Sequence, residues 1–570
     1  MTVESLITQH IDTWTSTVKT KSASGRGSRK KLELYGVKKL RELILELAVR
    51  GKLVPQDLND EPASVLLERI VAEKTQLVKD KKIKNPKALS QICDDKPFPI
   101  PNSWIWSQLG FLTNYGVCDK AEPKDVATST WVLELEDVEK STSKLLKKVN
   151  FEGRAFKSSK NRFLKNDVIY GKLRPYLDKV LVADEDGVCT TEMIPIRGYN
   201  EDIVSEFLRL VLKTPYFIQY ANSSTHGMNL PRMGTEKARD ALIPLVPINE
   251  QHRIVAKVDE LMSLCDQLEQ QTEASIEAHE LLVSTLLNTL TNSADADELM
   301  ENWVRISDHF DTLFTTEESI DQLKQTILQL AVMGKLVPQD PNDEPASVLL
   351  ERIAEEKTQL IKDKKIKKQK ELPPIADDEK PFELPNGWEW CRFGTLVNFK
   401  AELVRPEEYL DLDQVAPDSI EKGTGKLIKR RTVAESGVKG PNSRFYAGQV
   451  LYSKIRPSLS KAIIAEFDGL CSADMYPLEA MVNSEFLLKI ILSEVFLTQV
   501  RAAENRIKMP KLNVDSLSNI LVPICPDNEM GRIISKLFEL LFVSDQLKQH
   551  INKSHQTQIQ LTDAIVEQAI

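Results

Sequence analysis

The sequence lacks the features that mark an exported, membrane-spanning or metal-binding chain. No charged leader with an apolar run opens it, and no stretch of about eighteen apolar residues occurs in it. We therefore expect neither export nor membrane insertion, and a cytoplasmic location. Cysteines are scattered, with no C-x-x-C pair and no histidine at zinc-ligand spacing, so reduced thiols are expected. They are Cys93, Cys118, Cys189, Cys265, Cys391, Cys471 and Cys525.

Chain length, composition and net charge give only general information about the number of domains and the class of protein. A chain of 570 residues exceeds one ordinary hydrophobic core, so several domains are expected. An apolar content of 41% with 28% charged residues is typical of a globular protein. The net charge of −9 argues weakly against a basic coat protein for nucleic acid, but it says nothing about local basic grooves.

One passage occurs twice. LRELILELAVRGKLVPQDLNDEPASVLLERI starts at Leu40, and LKQTILQLAVMGKLVPQDPNDEPASVLLERI starts at Leu323. The copies lie about half a chain apart, far beyond the roughly 20 to 50 residue period of solenoids. The repeated unit is therefore half a protein, and we expect two large modules.

Each copy has the spacing of two helices. Apolar residues recur on one helical face from Val37 to Leu47, and Gly51 is typical of a helix end. We expect a second helix to begin near Asp60, which can cap it, with Pro62 in its first turn. The second copy has the same helix-ending and helix-starting residues at Gly334, Pro338, Asp343 and Pro345.

A globular domain follows each copy. PFPIPNSWIWSQLG begins at Pro97 and PFELPNGWEWCRFG at Pro381, and the alternating tryptophans predict a strand packed on one face. Runs of Val, Ile, Leu and Tyr from Phe163 and from Phe445 predict further strands, and a helix follows in each half. Both domains are therefore expected to mix α and β structure.

Each domain leads into a long helix. We expect Asn249 and Asn528 to cap these helices, and the first, to about Leu290, would span about 60 Å. A heptad pattern indicates coiled-coil helices, with an ordinary amphipathic bundle helix as the alternative. The heptad residues are Ile254, Leu261 and Leu268, then Ile533, Leu540 and Leu547.

These features predict six segments along the chain. The segment ahead of the first repeat is rich in Ser, Thr, Lys and Gly, which is typical of a flexible lead-in. The segments are the lead-in at 1–36, a helical region at 37–96, a domain at 97–248, a central helical region at 249–380, a second domain at 381–527 and a C-terminal helix at 528–570.

This repeated order resembles the specificity subunit of type I restriction and modification systems over nearly the whole chain. The resemblance is carried by the A-V-x-G-K-L-V-P-Q-D signature, in which the matching residues are Gly51–Asp57 and Gly334–Asp340, and by the W-x-W pairs. The segments LVPINEQHRI and LVPICPDNEMGRI also match. NEMGRI at Asn528 departs from NEQHRI at Asn249, although both sequences still open a helix.

The resemblance implies an α+β protein with no chemistry of its own. Two target-recognition domains would each read half of a split, asymmetric DNA sequence, held apart by antiparallel coiled-coil helices. The helical regions would bind two modification subunits and, through them, restriction subunits. This chain would bind no cofactor, since S-adenosylmethionine, ATP and Mg are expected on the partners. The complex would be an adenine DNA methyltransferase and an ATP-dependent endonuclease that acts in anti-phage defence.

Two loops in each half are candidates for DNA contact. GKLRPYLDK and SKIRPSLSK recur in both domains, so we favour phosphate positioning over base readout, with a polar strand-to-strand turn as the alternative. The candidates are Lys172, Arg174, Tyr176 and Lys179, with Lys454, Arg456, Ser458 and Lys461 in the second half.

The second pair of loops differs between the halves, as base-reading loops should. The two domains differ strongly in sequence after Phe111 and after Phe393, and a basic run in this variable region of the second domain adds three candidates. The loop candidates are Ser224, His226, Asn229 and Arg232, and Asn505, Arg506, Lys508 and Lys511; the basic run is Lys429, Arg430 and Arg431. A lone histidine such as His226 is more often an ordinary surface residue.

The rival hypothesis is an enzyme, either a DNA methyltransferase or a nuclease with its own recognition domains. The sequence has no G-x-x-x-x-G-K-[ST] loop, no glycine-rich turn for S-adenosylmethionine and no N/D-P-P-Y/F element. A coiled-coil adaptor that binds only proteins is a further alternative, but it would not need two divergent domains. We therefore expect a non-catalytic DNA-reading scaffold.

Overall fold

The structure is a computed structural model that describes residues 3–21, 31–83, 88–92, 96–294, 296–366, 370–503 and 510–570. The chain divides into two compact units. Unit 1 comprises residues 1–275 and 554–570, and unit 2 comprises residues 276–553. Among the described helices, none combines the length and apolar character that crossing a membrane requires.

Unit 1 combines helices with short strands. Its helices are α1 (Val3–Gln9), α2 (Ile11–Ser16), α3 (Tyr35–Val49), α4 (Ala63–Lys79), α5 (Leu109–Leu112), α6 (Ser205–Lys213), α7 (Pro215–Ser223) and α8 (Thr235–Asp240). Its strands are β1 (Lys19–Lys21), β2 (Lys31–Glu33), β3 (Ile105–Gln108), β4 (Lys120–Ala121), β5 (Trp131–Leu133), β6 (Lys160–Phe163), β7 (Val168–Gly171), β8 (Val180–Val182), β9 (Gly187–Cys189), β10 (Met193–Ile196), β11 (Thr225–His226), β12 (Arg232–Met233) and β13 (Leu242–Leu245). Helix α9 (Ile248–Asn292) begins in unit 1 and ends in unit 2.

Unit 2 has a similar order of elements from the helix of the repeat onward. Its helices are α10 (Ala296–Ser307), α11 (Phe310–Leu313), α12 (Glu317–Val332), α13 (Ala346–Lys362), α14 (Phe393–Leu396), α15 (Val433–Ser436), α16 (Ser484–Leu492), α17 (Glu494–Ala503) and α18 (Val514–Ser518). Its strands are β14 (Glu389–Arg392), β15 (Val397–Phe399), β16 (Glu402–Val404), β17 (Asp413–Val415), β18 (Asn442–Phe445), β19 (Val450–Ser453), β20 (Ala462–Ile464), β21 (Gly469–Cys471), β22 (Met475–Ala480) and β23 (Leu521–Ile524). Helix α19 (Asp527–Ala569) begins in unit 2 and ends in unit 1.

The predicted helix of the repeat is confirmed in both units. The apolar face of α3 is buried, and the helix ends where Gly51 takes a left-handed φ of +68°. There the amide of Lys52 donates to the Leu47 carbonyl at 3.0 Å. Gly334 has a φ of +73° after α12. Glycine adopts this conformation without the steric penalty of a Cβ atom, so it ends the helix at the same point twice.

Three predicted helix caps, Asp60, Asn249 and Asn528, are wrong. Helix α4 starts at Ala63 after Pro62, and the carboxylate of Asp60 instead accepts from Arg253 in α9 at 2.6 Å. Asn249 lies inside α9, which begins one residue earlier, and Asn528 lies inside α19. The side chain of Asn249 bonds to Asp60. Contacts between distant segments therefore replace the local caps.

The predicted flexible lead-in is wrong for its described part. Residues 3–16 form α1 and α2, and Trp14 is 0% exposed. Val3, Ile7 and Trp14 are buried, since they share one apolar face of the segment. Strands β1 and β2 then pair antiparallel ahead of α3.

Both domains are built from equivalent small sheets. Strands β10-β7-β8 form one sheet and β4-β6-β9-β5 another, in which only the β5 and β9 pair is parallel. Unit 2 has the orders β15-β22-β19-β20 and β16-β18-β21-β17, again with one parallel pair. Strands β3 and β14 each begin one residue after the first tryptophan of a W-x-W pair. Each pairs with the last strand of its domain, β3 with β13 and β14 with β23.

Candidate nucleic-acid interface

The first predicted loop is the tip of a β-hairpin. Residues 172–179 connect β7 to β8 around a 3-10 turn, Pro175–Leu177. Arg174 and Asp178 flank the turn with left-handed φ values of 52° and 48°. In unit 2, Arg456 and Ser460 flank the turn Pro457–Leu459 with φ values of 45° and 47°. Each such non-glycine residue costs about 1–2 kcal/mol, so surrounding contacts must hold the tip in this shape.

The second predicted loop provides those contacts. The amide of Arg174 donates to the Pro231 carbonyl at 2.7 Å, and the amide of Met233 donates to the Lys172 carbonyl at 3.0 Å. In unit 2, the amide of Arg456 donates to the Pro510 carbonyl at 2.8 Å, and the amide of Leu512 donates to the Lys454 carbonyl at 2.9 Å. The two loops predicted separately therefore lie together in each unit.

A third loop, which sequence reasoning missed, completes the arrangement. In unit 1 the amide of Lys172 donates to the Glu192 carbonyl at 3.0 Å, and the Glu192 carboxylate pairs with Arg232 at 3.0 Å. In unit 2 the amide of Lys454 donates to the Asp474 carbonyl at 3.0 Å, and the Asp474 carboxylate pairs with Lys511 at 3.0 Å. The only signal in the sequence was an acidic residue immediately before the methionine of each M-x-P strand, three positions before the proline.

We call this arrangement the three-loop cluster. It comprises residues 171–179, 190–192 and 229–233 in unit 1, and residues 453–461, 472–474 and 510–512 in unit 2. Equivalent backbone hydrogen bonds join the loops in both units. The cluster thus presents Lys and Arg side chains from one frame that occurs twice.

Two predicted contact residues point into the protein. The ammonium of Lys179 donates to the Leu135 carbonyl at 2.6 Å, and Lys461 donates to the Pro417 carbonyl at 2.5 Å. Burial lowers the pKa of Lys179 below its ordinary value. Both lysines therefore tie the hairpin tip to a neighbouring 3-10 turn.

The predicted basic run lies outside the cluster. Arg430 donates to Asp413 at 2.6 Å, and its guanidinium carbon lies 4.4 Å from the centre of the Phe467 ring. Arg431 pairs with Asp418 at 3.0 Å, and Lys429 is exposed. A matching cation exists in unit 1, where Lys148 pairs with Asp184 and lies 4.5 Å from a Trp131 ring. An arrangement that recurs with different partners indicates structural support.

The other predicted residues lie on or near the second loop or on the hairpin tips. Ser224 follows α7, and Asn229 is exposed. His226 in β11 lies opposite Arg232 in β12, and the two strands are antiparallel. On the hairpin tip, Tyr176 is 53% exposed and Ser458 is half-buried. Asn505, Arg506 and Lys508 lie outside the described residues, as does Cys93. The six described cysteines are free thiols, and five of them are buried.

Comparison with known proteins assigns the chain to a family. The family described as type I restriction modification DNA specificity domain matches residues 137–278. The type I restriction enzyme EcoAI specificity subunit of Escherichia coli is 43% identical, over 100% of both chains. The chain belongs to the type I specificity subunits. The EcoEI specificity subunit of Escherichia coli is 39% identical, also over 100% of both chains.

Membership of this family makes the chain a non-catalytic specificity subunit and excludes the rival enzyme hypothesis. A solved chain from work on complex assembly and conformational transition of the type I R-M system covers 83% of this chain and 99% of its own length. It has a TM-score of 0.52 at 18% identity and shares the fold. The predicted class, two mixed domains joined by long helices, is confirmed, and the length of α9 suits a coiled-coil linker.

Proposed function

We propose that this specificity subunit reads a split, asymmetric DNA sequence, with the three-loop cluster of unit 1 on one half-site and that of unit 2 on the other. The observation that carries the proposal is the repeated set of backbone hydrogen bonds within the two clusters. Equivalent frames approach phosphates in the same way, while different side chains on those frames select different bases. A duplicated frame with diverged surroundings therefore suits a bipartite target.

The residues of the cluster divide into two roles. Lys172 and Arg174, with Lys454 and Arg456, hold phosphates, because both half-sites present the same backbone. Lys179 and Lys461 support the hairpin tip. Base contacts come from the residues that differ between the units, including those of the second loop and Lys429.

Membership of the family supports a proposal for the partners and cofactors. The recognition domains at residues 97–248 and 381–527 bind double-stranded DNA, and the helical regions bind two modification subunits and, through these, restriction subunits. S-adenosylmethionine, ATP and Mg belong to those partners, and the complex works in the cytoplasm. If both domains approach one face of B-DNA, their half-site centres lie about 10 base pairs apart, or a whole multiple of that spacing.

The test is to purify the chain with modification subunits, expose DNA to the complex and S-adenosylmethionine, and map the methylated adenines by sequencing. A split, asymmetric methylated sequence is expected. A continuous or palindromic site would overturn the proposal, and so would a folded complex that methylates without sequence preference.

Replacing residues 97–248 with the matching domain of another specificity subunit then tests whether each domain reads its own half-site. The exchange should alter one half-site and leave the other unchanged. A change in both half-sites would contradict separate reading by the two domains. A matched exchange of residues 381–527 should affect only the opposite half-site.

A further inference from the structure

The two hairpin tips differ at few positions. Unit 1 has KLRPYLDK at residues 172–179, and unit 2 has KIRPSLSK at residues 454–461. The lysines, the arginine, the proline and the second leucine are identical, and Leu173 is replaced by the similar Ile455. Chemistry therefore changes at two places: Tyr176 against Ser458, and Asp178 against Ser460.

The second of these differences faces the protein interior. The Asp178 carboxylate pairs with Lys213 at 2.6 Å, and the two side chains are only 12% and 10% exposed. In unit 2, Ser460 is 2% exposed, and its hydroxyl donates to the Ile491 carbonyl at 3.1 Å. Each side chain is held by a partner within its own unit, so neither is available to a ligand.

The first difference lies at the centre of the 3-10 turn. The left-handed residues on either side fix the backbone there in the same way in both units. Tyr176 is 53% exposed, which is unusual for a large aromatic side chain. The tip thus presents a variable side chain from an invariant frame, two residues beyond the arginine that the proposed function assigns to a phosphate.

We propose that Tyr176 and Ser458 are base-reading residues, each for its own half-site. This inference rests on the proposed function and deepens it. Groups that hold phosphate need not differ between half-sites, whereas groups that read base edges must. Tyr176 offers a phenol hydroxyl and an apolar ring that can contact a thymine methyl group. Ser458 offers only a short hydroxyl, which can bond to several bases.

The experiment uses the complete complex with modification subunits and compares Tyr176→Ser, Ser458→Tyr and wild type by sequencing of methylated DNA. Tyr176→Ser should change base preference about tenfold at one or two positions of one half-site. Ser458→Tyr should do so only in the other half-site. The unaffected half-site is an internal control for folding and assembly.

Binding measurements separate base reading from phosphate contact. Tyr176→Ser should leave the slope of log Kd against log salt unchanged, since no phosphate contact is lost. Tyr176→Phe, which keeps the ring, reports on the hydroxyl alone and serves if the serine variant fails to assemble. A uniform fall in methylation with unchanged base preference would overturn the inference. A wild-type complex that reads no split sequence would instead refute the proposed function itself.

Discussion

The indole N–H of Trp104 donates to the carboxylate of Glu250 at 2.9 Å, and Trp388 donates to Glu529 in the same way at 3.1 Å. In both units a glutamine of the repeated V-P-Q-D segment, Gln56 or Gln339, also donates to this carboxylate. Each carboxylate lies in the first turn of a long helix and is 1% exposed. This contact joins the repeat, the first strand of the domain and the long helix.

The first prediction concerns the pH dependence of this contact. Burial raises the pKa of Glu250 above its ordinary value of 4.5, so the folded chain binds the proton more tightly than the unfolded chain. The contribution of this group to stability is largest below the unfolded pKa and is lost as pH rises through the folded pKa. The free energy of unfolding of wild type, minus that of Glu250→Gln, should therefore increase as pH falls from about 7 to 5. Urea unfolding measures it, and a difference that does not change with pH would contradict the assignment.

The second prediction compares two lysines of one hairpin tip. Lys172→Ala should weaken binding to all DNA sequences alike and reduce the salt slope by about one, because the phosphate contact proposed for Lys172 is lost. Lys179→Ala should lower the stability of unit 1 without that change in slope, because its ammonium holds the Leu135 carbonyl. Salt-dependent binding and thermal unfolding of both variants measure these effects. Equal salt slopes for Lys172→Ala and wild type would show that Lys172 does not contact phosphate.

The third prediction concerns the acidic residue of the cluster. Glu192 neutralises Arg232 at 3.0 Å. Glu192→Gln should release the guanidinium and remove a charge that repels phosphate, so binding to unrelated DNA should strengthen several-fold and sequence discrimination should fall. Competition binding with cognate and unrelated duplexes measures both. Asp474→Asn is the matched variant in unit 2, and unchanged discrimination in both would place the pair away from DNA.

The fourth prediction concerns the C-terminal end of α19. Thr562 is 0% exposed, with its hydroxyl 3.0 Å from that of Thr17, and the Tyr35 hydroxyl donates to Asp563 at 2.7 Å. Ending the chain after Lys553 should therefore reduce hydrogen-exchange protection of α2 and α3 in unit 1. Protection of α12 in unit 2 should remain, and an equal loss in α2, α3 and α12 would contradict this division of the chain.

The sequence by itself determined the duplication, the helices of the repeat, the mixed domains, the long helices and the family. These depend on local periodicity and on motifs that recur within one chain. Only the tertiary structure decided which candidate residues belong together. Residues 172–179 and 229–233 meet through backbone hydrogen bonds between segments far apart in sequence.

The same limit explains the errors. Asp60 has the residue type and position of a helix cap, but a stronger charge-assisted bond to Arg253 is available in the folded chain. Lys179 resembles a phosphate ligand in the sequence, yet the nearest acceptor is a carbonyl of its own domain. Local pattern predicts what a side chain can do, but the partner is set by which groups the fold places within reach.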